Sequence, residues 1–131
     1  MDIFKSILTP NEITDFTSDI GVSKANFSPW RTRLLSIMAG LFIAIGGATS
    51  TKANIVLAGS KYASLTSSIL FTIGLILVLV AGAELFTGNI LLIVAFCDKK
   101  LSAKELIVNW ARVYLWNFIG AFFFAILIFL A

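Results

Sequence analysis

Glu84 is the only charged residue between positions 62 and 97, in a stretch that is otherwise apolar or weakly polar. A carboxylate inside a membrane can carry a proton, or it can accept hydrogen bonds that hold irregular backbone in place. Glycines and short polar side chains lie around it: Gly82, Thr87, Gly88 and Asn89. Because this composition favours unwound backbone, we predict that Glu84 accepts hydrogen bonds from freed backbone N–H groups and, with Gly82, Gly88 and Asn89, supports a loop.

The residue types do not indicate catalysis, metal binding or phosphate binding. The chain has no histidine, the commonest general base and metal ligand, and its one cysteine, Cys97, has no partner and is assigned no role. No metal-ligand spacing and no nucleophile–base pair occur, and Gly82 and Gly88 lack the spacing of a phosphate-binding loop. We therefore expect no catalytic residue, no metal, no cofactor and no enzymatic activity.

The composition indicates a membrane protein. Hydrophobic residues make up 59% of the 131 residues and the mean hydropathy is +0.97, outside the range of ordinary soluble domains. The net charge of +3 would suggest nucleic acid as a partner of a soluble protein. Here the cations flank apolar runs, so membrane topology explains them better, and we expect a lipid bilayer and no nucleic acid.

Three apolar runs predict three transmembrane helices in an all-α membrane protein. A straight helix over the middle run would reach about 54 Å, far beyond the roughly 30 Å of hydrocarbon in a bilayer. The middle span is therefore predicted to be broken by the Gly-rich segment around Glu84, and such an interruption is a pointer to a transport site. The predicted spans of this single transmembrane domain, residues 1–131, are 31–58, 63–97 and 103–131.

Residues 1–29 are predicted to form a cytoplasmic amphipathic segment along the membrane surface. Thr9 and Glu12 form a capping box that starts a short helix, which ends near Gly21 or continues to Lys24. The same signal recurs at Ser102 and Glu105, where it starts the third span.

Small and aromatic residues mark the surfaces of the spans. In the first span, small residues at helical spacing predict the close approach of a neighbouring helix: Ser36, Gly40, Ala44 and Gly47. Near the start of the third span, aromatic residues predict an interfacial belt: Trp110, Tyr114 and Trp116.

Lysine and arginine predict the orientation, because cytoplasmic loops carry an excess of them. One side of the predicted membrane holds Lys5, Lys24, Arg31, Arg33, Lys99, Lys100 and Lys104, and the other holds Lys52 and Lys61. We therefore predict a multi-pass protein of the inner (plasma) membrane with a cytoplasmic N-terminus. Three spans with one broken helix resemble one half of an inverted-repeat transporter, so we expect the chain to be half of a larger protomer.

Several motifs together resemble those of the formate/nitrite transporter family, over essentially the whole chain. They are Gly82-Ala83-Glu84-Leu85-Phe86-Thr87-Gly88-Asn89, Asn109-Trp110, Asn117-Phe118-Ile119-Gly120, Thr9-Pro10, Gly21-Val22, Lys24-Ala25 and Ala39-Gly40-Leu41-Phe42-Ile43-Ala44-Ile45-Gly46. The resemblance implies an aquaporin-like protomer of two inverted three-span halves, of which this chain is the N-terminal one. It also implies a homopentamer in which each protomer has a pore for formate, nitrite or hydrosulfide.

The resemblance further assigns pore residues by position. Phe71 resembles the outer constriction, and Thr87 resembles the threonine that faces the family's central histidine. The inner constriction is assigned to Leu75, Leu85 and Phe86. That histidine, and a lysine that attracts anions, belong to the family's second half, so the resemblance implies a second three-span half as partner. The anion or its neutral acid is expected to pass between the apolar constrictions.

Two alternatives stay open at this point. The chain could be a non-transporting membrane subunit or a truncated product. It could also be a small proton-coupled multidrug antiporter that uses Glu84, although those proteins have four plain spans and no Gly-rich interruption beside the acid.

Overall fold

Helices are the regular elements of residues 8–130, the part of the chain that the computed structural model describes. Lys5, which contributes to the predicted orientation, and the ends of the predicted segments 1–29 and 103–131 lie outside these residues. The helices are α1 (Pro10–Ala25), α2 (Pro29–Val56), α3 (Ala63–Ala81), α4 (Phe86–Asn89), α5 (Leu92–Cys97) and α6 (Ala103–Leu130).

Three of these helices are long and apolar enough to cross a membrane: α2, α3 and α6. Their outer faces carry large apolar side chains that remain uncovered; Leu79 and Val80, for example, are 72% and 83% exposed. Exposed apolar faces of this length are expected where lipid replaces water as the surrounding solvent. The prediction of an all-α, multi-pass membrane protein is confirmed.

The start of α1 confirms the predicted capping box. The Thr9 side chain accepts a hydrogen bond from the Glu12 backbone N–H, and the Glu12 carboxylate accepts one from the Thr9 backbone N–H. Of the two predicted ends of this helix, the longer is correct, because α1 continues through Gly21 and Lys24 to Ala25. Lys24 therefore lies in its last turn.

Glycines set the close packing of α2 against its two long neighbours. A Cβ atom at Gly40 would overlap the backbone carbonyl of Asn117 on α6, and one at Gly120 would overlap the carbonyl of Ile37 on α2. Backbones can approach this closely only where one partner has no side chain. The crossing of α2 and α6 therefore depends on these two glycines.

The contact of α2 with α3 corrects one residue of the predicted small-residue face. Gly46 packs against Gly74, and a Cβ at Gly46 would lie 2.8 Å from the carbonyl oxygen of Phe71. Gly47, which was predicted to line the packing face, has no atom within 4 Å of a Cβ built on it. The orientation of α2 about its axis places Gly46, and not Gly47, against α3.

The chain leaves helical geometry between α3 and α4. Gly82 ends α3 in the left-handed conformation, with φ of +60°, and its backbone N–H donates to Leu79. This conformation suits glycine, which has no Cβ to clash with the backbone. Leu85 is extended and precedes the four-residue helix α4, so residues 82–85 form a loop, named here the α3–α4 loop.

The N-terminal cap of α6 supports a stability prediction. The Glu105 backbone N–H donates to Ser102 Oγ over 3.2 Å, and the Glu105 carboxylate accepts from the Ser102 backbone N–H over 2.8 Å. We expect Ser102→Ala to lower the free energy of unfolding by about 1 kcal/mol, the usual loss of a side-chain cap. Thermal unfolding in detergent measures it, with Ser23→Ala, an exposed serine on α1, as the control. An equal effect of both changes would contradict the prediction.

Candidate functional site

Glu84 lies in the α3–α4 loop and is 3% exposed. Its backbone N–H donates to the carbonyl of Leu35 on α2 over 3.2 Å, and its carbonyl accepts from the Asn117 side chain over 2.9 Å. The backbone polar groups of this loop residue are thus satisfied from α2 and α6.

The Glu84 carboxylate contacts two side chains rather than the backbone N–H groups that we predicted. Oε1 lies 3.0 Å from Lys24 Nζ, and Oε2 accepts a hydrogen bond of 2.8 Å from Asn89 Nδ2. The expected partners were wrong because the last turn of α1 lies beside the loop and places the Lys24 ammonium against the carboxylate. Both carboxylate oxygens therefore have partners, and Glu84 links the loop to α1 and α4.

Asn89 connects this ion pair to α6. Its side chain is fully buried; Oδ1 accepts from Lys24 Nζ over 3.0 Å, and Nδ2 also donates to Asn109 Oδ1 over 3.0 Å. Its backbone carbonyl accepts from Trp110 Nε1 over 2.8 Å. We name the set Lys24, Glu84, Asn89 and Asn109 the polar cluster. A connected, satisfied network of this kind rigidifies the segment that it joins.

Packing holds α1 in position for the Lys24 contact. Gly21 faces α5, where a Cβ built on it would lie 3.0 Å from the Cβ of Ala95. Val22 and Ala25 pack against a small apolar core that includes Leu92 and Leu106. The close approach at Gly21 brings the last turn of α1 over the helices that follow the loop.

A second ion pair joins α1 to the connection between α5 and α6. Lys100 Nζ lies 2.9 Å from Asp19 Oδ1, and this hydrogen bond raises the pKa of Lys100 above its ordinary value. Its contribution is present below the ordinary lysine pKa and is lost as the pH rises through the raised value. Because both side chains are exposed, the pair adds little to stability.

Two of the predicted pore residues lie together. Leu85 and Phe86 line a cavity of about 250 Å³ between α2 and α6, to which Gly40, Ile43, Tyr114, Asn117, Phe118 and Ala121 also contribute. The rings of Phe86 and Tyr114 meet edge to face, with centroids 5.4 Å apart. The cavity is lined almost wholly by apolar atoms.

The other predicted pore residues lie elsewhere. Phe71 and Leu75 are on α3, one turn apart, and are 45% and 41% exposed. Thr87 is exposed in the first turn of α4. None of the three lines the cavity beside Leu85 and Phe86, so this cavity gathers two of the five predicted pore residues.

Sequence reasoning missed side chains that support the loop from a distance. Asn109 and Asn117 were noted only within family motifs. Trp110 was noted within a family motif and predicted to sit in an interfacial belt, and Lys24 was used for the orientation, the end of α1 and a family motif. The available signal was polarity: asparagines in an apolar span are costly unless they are hydrogen-bonded. Their hydrogen-bond partners are 20 to 81 residues distant along the chain, so local pattern did not identify them.

Comparison with known proteins identifies the family of the chain. The model of the family described as formate/nitrite transporter matches residues 11–131. The chain is 35% identical to a formate channel FocA of Haemophilus influenzae over 92% of its own length and 43% of the relative's. It is also 35% identical to a formate channel FocA of Escherichia coli strain K12, over 95% of its own length and 45% of the relative's.

A probable formate transporter of Methanothermobacter thermautotrophicus is 33% identical over 92% of the chain and 46% of the relative. The chain thus spans about half the length of the curated relatives that it matches. Because the family model covers nearly all of it, the chain belongs to the formate/nitrite transporter family.

Proposed function

We propose that this chain forms the N-terminal half of a membrane channel or transporter for small monovalent anions such as formate, nitrite or hydrosulfide. The observation that carries the proposal is the family match over residues 11–131, together with relatives that are named formate channels. The proposed protomer includes a second three-span half, related by an inverted repeat, which supplies a histidine and a lysine. We further propose a homopentamer in the inner membrane with a cytoplasmic N-terminus.

In this proposal α3, α4 and α5 together form one discontinuous span. The end of α3 at Gly82 and the restart at Phe86 support it, because broken helices in transporters lie where they line a path. Leu85 and Phe86 form the inner constriction with Leu75, Phe71 forms the outer one, and Thr87 is a polar pore residue. Apolar constrictions pass a neutral acid or weakly hydrated anion more readily than a fully solvated ion.

The polar cluster has a supporting role in this proposal. Glu84 is paired with Lys24 and Asn89 and is almost fully buried. Both of its oxygens contact side chains of the fold, which favours a structural role over the role that the acid of a multidrug antiporter has. Glu84, with Gly82, Gly88 and Asn89, therefore holds the α3–α4 loop in shape beside the constriction.

A substitution at the constriction tests the proposal. In liposomes that contain the full-length native protein, we expect Leu85→Arg to reduce formate flux by about tenfold or more, because a fixed charge blocks an apolar constriction. Leu85→Ile keeps the size and polarity of the side chain and is the matched control. Formate uptake by the Arg variant at the rate of the Ile variant would contradict the proposed constriction.

The same vesicles separate the alternatives. A multidrug antiporter would show drug-linked proton release that vanishes in Glu84→Gln. A non-transporting subunit would show neither that release nor formate flux above protein-free liposomes.

A further inference from the structure

Asn117 joins three segments of the chain through one side-chain amide. Its Nδ2 donates to the carbonyl of Ser36 on α2 over 2.8 Å and to the carbonyl of Glu84 over 2.9 Å. Its Oδ1 accepts from the backbone N–H of Phe86 over 2.8 Å. The three partners are backbone groups, two of them at either end of Leu85. The amide thus satisfies the Glu84 carbonyl in the loop and the Phe86 N–H at the start of α4, two groups without a helical partner, and it ties them to a carbonyl within α2.

The position of the Asn117 backbone on α6 is fixed by the close packing of α6 against α2. The backbone carbonyl of Asn117 lies against Gly40, and Gly120, one turn later on α6, lies against Ile37. Residues three apart share one face of a helix, so Asn117 projects from the same face that packs on α2. A shift of α6 along α2 would carry the amide with it.

The same turn of α6 also contacts the ring of Phe86. Tyr114 precedes Asn117 by one turn and meets that ring edge to face, while Asn117 holds the Phe86 backbone N–H. Both the backbone and the ring of Phe86 are therefore positioned from one side, by two residues of α6. Leu85, between the two hydrogen-bonded backbone groups, has little freedom to move independently.

We propose that Asn117 is a positioning residue of the anion constriction and sets its width, and hence its discrimination between formate and bulkier carboxylates. This inference rests on the proposed function, because it concerns the selectivity of that same constriction. Asn117 acts through Phe86 and Leu85: it transmits the α2–α6 crossing to the apolar side chains that an anion would pass.

The test is a ratio of fluxes, which does not depend on how much folded protein the vesicles contain. Formate and acetate fluxes are measured in liposomes that contain the full-length native protein, its Asn117→Ala variant and the control Asn26→Ala. Asn26 is exposed at the end of α1. We expect Asn117→Ala to change the acetate-to-formate ratio by about three- to tenfold, the scale of one or two lost hydrogen bonds. Asn26→Ala should leave the ratio unchanged.

A double-variant cycle identifies the route of the effect. If Asn117 acts through Phe86, the change of ratio in Asn117→Ala and that in Phe86→Ala should not multiply in the double variant. Independent, multiplicative effects would overturn the inference, as would a ratio in Asn117→Ala equal to that of the native protein. If Asn117→Ala yields no folded protein, Asn117→Gln, which keeps the uncharged amide but moves it by one methylene group, replaces it. A native protein without formate flux would instead refute the proposed function.

Discussion

Gly40→Ala is expected to disrupt the crossing of α2 and α6 and to lower the free energy of unfolding by about 3 kcal/mol or more. The added methyl group would overlap the backbone carbonyl of Asn117, and a backbone group inside a helix cannot turn aside as a flexible side chain can. Gly40 also lines the cavity beside Leu85 and Phe86. The separation of the helices should therefore alter the constriction as well as stability.

Gly47→Ala is the matched control, since it places the same substitution on the same helix. A Cβ at Gly47 meets no atom within 4 Å, so the higher helix propensity of alanine should leave stability unchanged or raise it by roughly 0.5–1 kcal/mol. Thermal unfolding in detergent compares the two variants directly. Similar midpoints for Gly40→Ala and Gly47→Ala would contradict the proposed dependence of the crossing on Gly40.

Lys24→Met is expected to lower the free energy of unfolding by roughly 3–5 kcal/mol, because it leaves the Glu84 carboxylate buried without its cation. The reverse change, Glu84→Gln, should cost less. The side chain of Lys24 is 24% exposed, against 4% for Glu84, so the unpaired ammonium can turn toward solvent while the unpaired carboxylate cannot. We expect about 1–3 kcal/mol for Glu84→Gln, the usual cost of broken charged hydrogen bonds.

The double variant Lys24→Met with Glu84→Gln checks whether the two side chains act as a pair. Its loss of stability should be smaller than the sum of the single losses, because no buried charge remains. Thermal unfolding in detergent measures all four proteins. Additive losses would show that Lys24 and Glu84 stabilise the fold independently, which would contradict the ion pair as the tie between α1 and the α3–α4 loop.

Much of the fold could be predicted because its signals are local. The capping boxes at Thr9 and Ser102 mark where α1 and α6 begin, and the apolar runs mark the three long helices. The rotation of α2 was harder to predict. Gly46 and Gly47 are adjacent, and only the position of α3 decides which of them faces a neighbour.

The supporting contacts of the site could not be predicted, because they join residues that are distant along the chain. Lys24 lies in the last turn of α1, where a cation is ordinary, and nothing near it indicates a carboxylate 60 positions later. The hydrogen bonds of the Asn117 amide likewise form only when α6 packs against α2. The apolar residues Leu85 and Phe86 were predicted from resemblance, and their common cavity depends on the same crossing.

The proposed anion channel is tested by formate flux into liposomes that contain the full-length native protein. We expect uptake of radiolabelled formate well above that of protein-free liposomes. We also expect any Glu84→Gln protein that remains folded to keep this uptake, since Glu84 supports the loop and is not one of the proposed constriction residues. No uptake above protein-free liposomes would contradict the claim that this chain forms part of an anion channel.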